Sequence, residues 1–152
     1  SALPGLLRAL ASLRAAGSTD IARATDAALA SGRPGWLVVV SDFLDPDGFD
    51  VPAAKARAAG HELTLVQVLD PEEIDPTLDG DLTLEDAEGA PDLSLTADAD
   101  LLDAYRARLQ ALFASLGAFA RGRGASYVRT RTDEPLESCL RRVLERRVDG
   151  CD

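Results

Sequence analysis

The run Trp36-Leu37-Val38-Val39-Val40, followed by Ser41-Asp42-Phe43-Leu44-Asp45, constrains the fold more than any other part of this chain. The apolar residues follow one another without polar alternation. Such a strand is expected to be covered on both faces, as a central strand of a parallel sheet is. Ser41-Asp42 stops the run, and Asp45-Pro46-Asp47-Gly48 turns the backbone away. Open α/β sheets bind ligands outside the carboxyl ends of their strands, and Asp42 is expected to stand at such an end.

The residues before this strand predict helices. Pro4 suits a first helical turn, Leu6, Leu10 and Leu13 share a stripe, and Gly17 ends a helix that starts at Leu3. Ser18, Thr19 or Asp20 can cap a second helix, with Ile21, Ala24, Ala28 and Leu29 on its buried side and Gly32 at its close. After the strand, Asp50 is expected to cap a short helix ending at Gly60. His61 to Leu69 is the next strand, and the acidic turn Asp70-Pro71-Glu72-Glu73 stands at its carboxyl end.

The stretch 74–97 breaks the rhythm. Leu82-Thr83-Leu84 and Leu93-Ser94-Leu95 alternate with period two, which predicts an inserted β-hairpin. Asp98 to Arg121 carries Leu102, Tyr105, Leu109, Leu112, Leu116 and Phe119 at helical spacing. Ser126 to Thr130 is a short, arginine-containing strand suited to a sheet edge. Asp133 is expected to cap a last helix whose inner face is Leu136, Cys139, Leu140, Val143 and Leu144. The expected fold is α/β and three-layered: half of a Rossmann-like parallel sheet, of about three parallel strands, in one partial domain over 1–152. Nothing in the chain supplies a neighbour for the other side of the Leu37–Val40 strand. That edge is expected to be covered by the N-terminal helices or paired with a second copy.

Charge narrows the partners. The net charge of −10 and the single lysine, Lys55, argue against nucleic acid and against an anionic membrane surface. No apolar run approaches the ~20 residues of a membrane span, and the start of the chain does not read as a signal peptide. Cys139 and Cys151 are too few for a disulfide scaffold or a zinc site. The expected setting is a reducing cytoplasm.

The order of motifs carries a resemblance. Gly17-Ser18-Thr19 before a helix, then a strand ending Ser41-Asp42-Phe43, resembles the second half of a von Willebrand factor A domain. More narrowly, "LVVVSDFLD", "GHELTLVQVLDPEE", an acidic hairpin and "LLDAY" in that order are similar to the bacterial domain of unknown function fifty-eight. Genes of that family often lie beside MoxR-type AAA+ ATPases. The resemblance implies a divalent cation at the top of the sheet, held by a DxSxS loop, by a threonine matching Thr19 and by an aspartate matching Asp42. Mg²⁺ suits such a shell of hard oxygens. This chain contains no DxSxS, and Asp86-Ala87-Glu88-Gly89 lacks the threonine that the family places between Glu and Gly. The chain by itself is therefore expected to bind Mg²⁺ poorly or not at all, and Mg²⁺ is expected only in a fuller protein that supplies the missing loop.

Two functions compete on these residues. The resemblance implies a protein-interaction module without chemistry of its own, acting with a MoxR-type AAA+ ATPase or its substrate. No G-x-S-x-G, Gly-rich phosphate loop or His–carboxylate spacing points to catalysis. The alternative is a Mg²⁺-dependent hydrolase, phosphatase or nuclease-like, that uses acids at strand ends. Asp45-Pro46-Asp47-Gly48 resembles the DxDG of haloacid-dehalogenase-type phosphatases, although Asp45 lies past the strand and no threonine follows. Asp45, Asp47 and Asp50 are spaced too closely for an EF-hand. Glu72 and Glu73 either deepen an acidic rim or are surface charges. His61, Tyr105 and Trp36 are read as structural.

Overall fold

The computed structural model describes residues 3–14, 20–30, 32–44, 48–78, 80–84 and 93–148. The elements run α1 (Leu3–Ser12), α2 (Ile21–Leu29), β1 (Trp36–Ser41), α3 (Asp50–Ala58), β2 (Glu62–Leu69), α4 (Pro71–Ile74), β3 (Gly80–Leu84), β4 (Leu93–Ala97), α5 (Ala99–Arg123), β5 (Ser126–Arg131) and α6 (Leu136–Val148). Strands β1, β2 and β5 form a parallel sheet in that order, with Leu37 opposite Leu63 and Leu65 opposite Tyr127. Strands β3 and β4 form a separate antiparallel pair, with Leu84 opposite Leu93. The α/β class and the hairpin between β2 and α5 agree with the sequence.

Helices cover the sheet unequally. On one face Ile21 of α2, Ala53 of α3 and Leu116 of α5 pack with Leu63 and Leu65 of β2, and Leu37 and Val39 of β1 join them. On the other face, among the described residues, α6 contributes Cys139 and Val143 against Val66 and Val128. Three layers result. Each fully buried leucine, such as Leu63, Leu65 or Leu116, is worth about 2 kcal/mol of transfer free energy. Among the described residues no helix is long and apolar enough to cross a membrane.

The structure corrects several expectations. The central strand of the described sheet is β2, and β1 is an edge. Its burial alternates: Leu37 and Val39 are half-buried, while Val38 and Val40 are 37% and 63% exposed. The apolar run therefore did not mean two covered faces here, because α6 lies over β2 and β5 and stops short of β1. Helix α1 ends at Ser12; its Leu7 and Leu10 are exposed, and so is Leu13 just beyond it. On α2 it is Thr25, together with Ile21, that is buried, and Ala24 is exposed. Only Cys139 and Val143 of the expected α6 face are buried; Leu136, Leu140 and Leu144 are at least half exposed. Helix α6 begins at Leu136, after Pro135. Asp133 does not cap it, because its carboxylate accepts from the Arg131 guanidinium instead. Likewise Phe49 holds the N-cap position of α3, with Asp50 in the first turn, where its charge favours the helix dipole.

Candidate functional site

Because β1, β2 and β5 are parallel, the loops that follow them share one rim. Asp42 follows β1, Asp70 follows β2, and Thr132 to Glu134 follow β5. The three loops use their acids differently.

The Asp42 loop is tightly specified. The Ser41 hydroxyl accepts from the Phe43 N–H at 3.0 Å and donates to the Asp42 carboxylate at 3.3 Å. The same carboxylate oxygen accepts from the Leu44 N–H at 3.0 Å, which closes an Asx turn. Phe43 then adopts φ 60°, the left-handed region that a bulky residue rarely enters, at a cost of about 1–2 kcal/mol. Burial of its ring offsets that cost. Phe43 is 3% exposed and meets Phe49 edge-on at 5.6 Å, and Phe49 meets Phe119 of α5 at 5.3 Å. The chain reverses so that the ring goes into the core and the Asp42 carboxylate stays outside.

A buried amide holds the loop from below. Gln67 of β2 is fully buried. Its Nε2 donates to the Asp42 carbonyl at 2.8 Å, and its Oε1 accepts from the Tyr127 hydroxyl of β5 at 2.6 Å. The bridge spans all three strands just beneath the rim. Burial pushes the Tyr127 hydroxyl above its ordinary pKa, so it remains a donor.

Asp70, Glu73 and Glu134 are occupied. Asp70 caps α4: its Oδ1 accepts from the Glu72 N–H at 3.0 Å, while the Glu73 carboxylate accepts from the Asp70 N–H at 2.6 Å. Its second oxygen accepts from the Thr132 hydroxyl at 2.8 Å, tying the ends of β2 and β5 together. Asp70 and Glu73 thus build a capping box. Glu134 accepts from Thr130 at 2.7 Å and from Arg142 of α6 at 2.6 Å and 2.8 Å. Arg142 foremost, and Thr130 after it, hold the Glu134 carboxyl below the usual range.

Of the two expected cation ligands, Asp42 stands on the rim and exposed, as its place after β1 implied. Thr19 lies outside the described residues, as do Asp45 and Asp47. Its neighbour Asp20 caps α2 by accepting from the Arg23 N–H at 2.7 Å, and Asp20 and Ser41 line one groove between α2 and β1. Mg²⁺ takes about six oxygens. Among the described residues no three acidic, histidine or cysteine side chains come together around an ion, so the described part of the rim does not by itself fit the cation. His61 is buried at the start of β2, where its carbonyl accepts from Arg57. The Tyr105 hydroxyl donates to the Glu73 carbonyl, and the Trp36 indole to Thr64. Sequence reasoning passed over Gln67, Phe43 and the Thr130–Glu134–Arg142 group. A lone amide inside Leu63–Leu69 was the available signal for the first, and Asp-x-x-Glu around Pro71 was the signal for the capping box.

A parallel sheet with helices on both faces and an anchored acidic turn on its carboxyl rim defines an open α/β protein. The chain belongs to the family described as "Protein of unknown function DUF58", whose model matches residues 1–114. It is 35% identical over 132 residues to the uncharacterized protein MAV169 of Mycobacterium avium, a match covering 86% of this chain and 78% of that protein. It is also 35% identical over 116 residues to the uncharacterized protein Rv1480 of Mycobacterium tuberculosis, covering 76% of this chain. That match spans only 36% of the M. tuberculosis relative. No solved structure matches the chain at a significant level.

Proposed function

We propose that this chain is part of a von Willebrand A-like protein-interaction module that acts with a MoxR-type AAA+ ATPase and has no chemistry of its own. The observation that carries the reading is the Asp42 turn. A strained Phe43, a buried aromatic anchor and the Gln67 bridge together hold one exposed carboxylate on the rim. Backbone strain of this kind persists where the surroundings over-determine it, and it concentrates at functional positions. The sibling acids Asp70 and Glu134 are consumed by local structure, whereas among the described residues only one oxygen of the Asp42 carboxylate is engaged. In the fuller protein that carboxylate serves a Mg²⁺ shell completed by loops from elsewhere. The cytoplasm is the compartment this function requires.

The test titrates the protein against a purified MoxR-type ATPase, with Mg²⁺ and with chelator. Asp42→Ala is expected to weaken binding more than tenfold, and Glu72→Ala, on the exposed side of α4, to leave it unchanged. Equal binding by both variants contradicts the assignment of the rim. A phosphatase and nuclease panel with Mg²⁺ or Mn²⁺ checks the alternative: metal-dependent turnover abolished by Asp47→Asn overturns the interaction reading in favour of a hydrolase.

A further inference from the structure

We propose that the flank formed by α5 and β5 is a docking surface for an acidic, extended peptide segment of a partner protein, with Arg121 and Arg129 as its carboxylate contacts. The surface is separate from the Asp42 rim and from the ATPase reading. Both arginines follow the residues 1–114 that the family model matches.

The chain divides its charge sharply. Residues 58–105 hold fourteen acids and neither lysine nor arginine, whereas residues 106–148 hold ten arginines against four acids. A chain of net charge −10 therefore has a basic end, which comprises most of α5 with β5 and α6. Folding neutralises part of it. Arg106 pairs with Asp75 and Asp103, Arg131 with Asp133, and Arg142 with Glu134. Among the described residues no ion pair takes Arg121 or Arg129, and both are exposed.

The fold brings these two to one flank. Tyr127 packs on the α5 side of the sheet and Val128 on the α6 side, so strand alternation puts Arg129 on the α5 side. There its guanidinium lies over the Phe113 ring at 4.1 Å. Leu112 and Phe119 of α5 pack with the cluster of α2 and α3 residues. At about 100° per residue, Phe113, Gly117 and Arg121 lie progressively farther round the helix from them, toward the outside of the sheet. Arg121 folds back along this flank. A Cβ on Gly117 would stand 3.3 Å from its Nη1, so the glycine leaves room for the guanidinium. Phe113 and Gly117 are one turn apart, about 6 Å along the axis.

This spacing selects the occupant. A guanidinium offers a planar fork of N–H donors matched to a carboxylate, and stacking on Phe113 fixes the plane of Arg129 while leaving its edge free to donate. Alternate side chains of an extended peptide stand roughly 7 Å apart on one side, close to the separation of the two resting places. Acids at alternate positions thus meet both arginines through side chains, without pairing to the β5 backbone. A nucleic acid carries charge along its whole length and also meets the acids of residues 58–105. A short acidic segment meets the basic end alone. A second copy offers its own residues 58–105 but brings a further net charge of −10.

The test is fluorescence anisotropy at low ionic strength, with a dye-labelled peptide of alternating glutamate and alanine titrated with this chain. The glutamate peptide is expected to bind at least tenfold more tightly than its glutamine counterpart. Arg121→Gln alters an exposed side chain and keeps the fold. It and Arg129→Gln are each expected to weaken binding at least threefold, and Arg8→Gln, on α1, to leave it unchanged. No binding of the glutamate peptide, equal binding of the glutamine peptide, or parent-like binding by the Arg121→Gln, Arg129→Gln double variant overturns the proposal. So does displacement by an equimolar amount of inorganic phosphate, which assigns the flank to a single small anion. Self-association of the parent that the double variant abolishes overturns it too, and assigns the flank to a second copy.

Discussion

The sheet has two edges, and they are built on opposite principles. The β5 edge reads Ser-Tyr-Val-Arg-Thr-Arg. Arg129 lays its guanidinium over the Phe113 ring at 4.1 Å, Arg131 pairs with Asp133, and Arg142 donates to the Arg129 carbonyl at 3.2 Å. Charged side chains on an edge discourage another strand from pairing. The β1 edge reads Trp-Leu-Val-Val-Val-Ser and carries no charge. Its Val40 is 63% exposed. One edge is finished with charge, and the other is apolar and partly exposed. The acids differ too: Asp133 and Glu134 beside the β5 edge are paired with arginines, whereas Asp42 beside β1 accepts from Ser41 and from the Leu44 N–H.

The largest effect is expected where the β1 loop is anchored. Phe49→Ala removes the ring between Phe43 and Phe119 and should cost about 3–5 kcal/mol in urea unfolding. Much of that loss belongs to the common core. A loss below about 1 kcal/mol shows that the Phe43 turn does not depend on the aromatic stack. Next comes the bridge between the edges. Gln67→Leu leaves the Asp42 carbonyl and the Tyr127 hydroxyl without their buried partner, for about 1–3 kcal/mol. Adding Tyr127→Phe should recover part of the loss, since one orphaned group then disappears. A strictly additive double mutant uncouples β5 from the Asp42 loop.

These weights explain what the sequence revealed and what it hid. Strand β2 and helix α5 were legible because apolar spacing reports burial directly, and their leucines are buried as spaced: Leu63, Leu65 and Leu69, then Leu109 and Leu116. The hairpin was legible from period-two alternation. Asp42 was legible as the first acid after an apolar run. The covering of β1 was not, because an apolar run records the burial a strand is suited to, and the elements to bury Val38 and Val40 are absent from the described residues. The same holds for Leu136 and Leu140, which border the same groove. Asp133 failed as a cap because Arg131, two residues before it, competes for the carboxylate. Phe43 and Gln67 were hidden for another reason: each acts through one long-range contact, and periodicity carries no record of those.

Acid should loosen the finished edge before the other. Arg142 foremost, then Thr130, lower the Glu134 pKa in the folded chain. A carboxylate with a depressed folded pKa contributes stability that is fully present above its unfolded value, about 4.3, and is lost as pH falls through the lowered folded value. Glu134→Gln is therefore expected to lower the urea midpoint at pH 7 and to converge on the parent chain as the pH drops below 4. A gap that persists at low pH assigns the effect to packing and removes the ion pair from the account of the β5 edge.

The smallest effect on folding is the sharpest test of the contrast. Val40→Lys places a charge on a side chain that water already reaches, so the unfolding free energy of this chain should change by less than about 0.5 kcal/mol. Its solution behaviour should change more. An uncharged edge is a template for strand pairing, and a lysine there blunts it. Light scattering at rising concentration is expected to show less self-association for Val40→Lys than for the parent. Arg131→Val, which strips the charge from the other edge, should show more. A destabilisation by Val40→Lys above about 1 kcal/mol means that β1 is covered in the isolated chain, and the two edges are then alike.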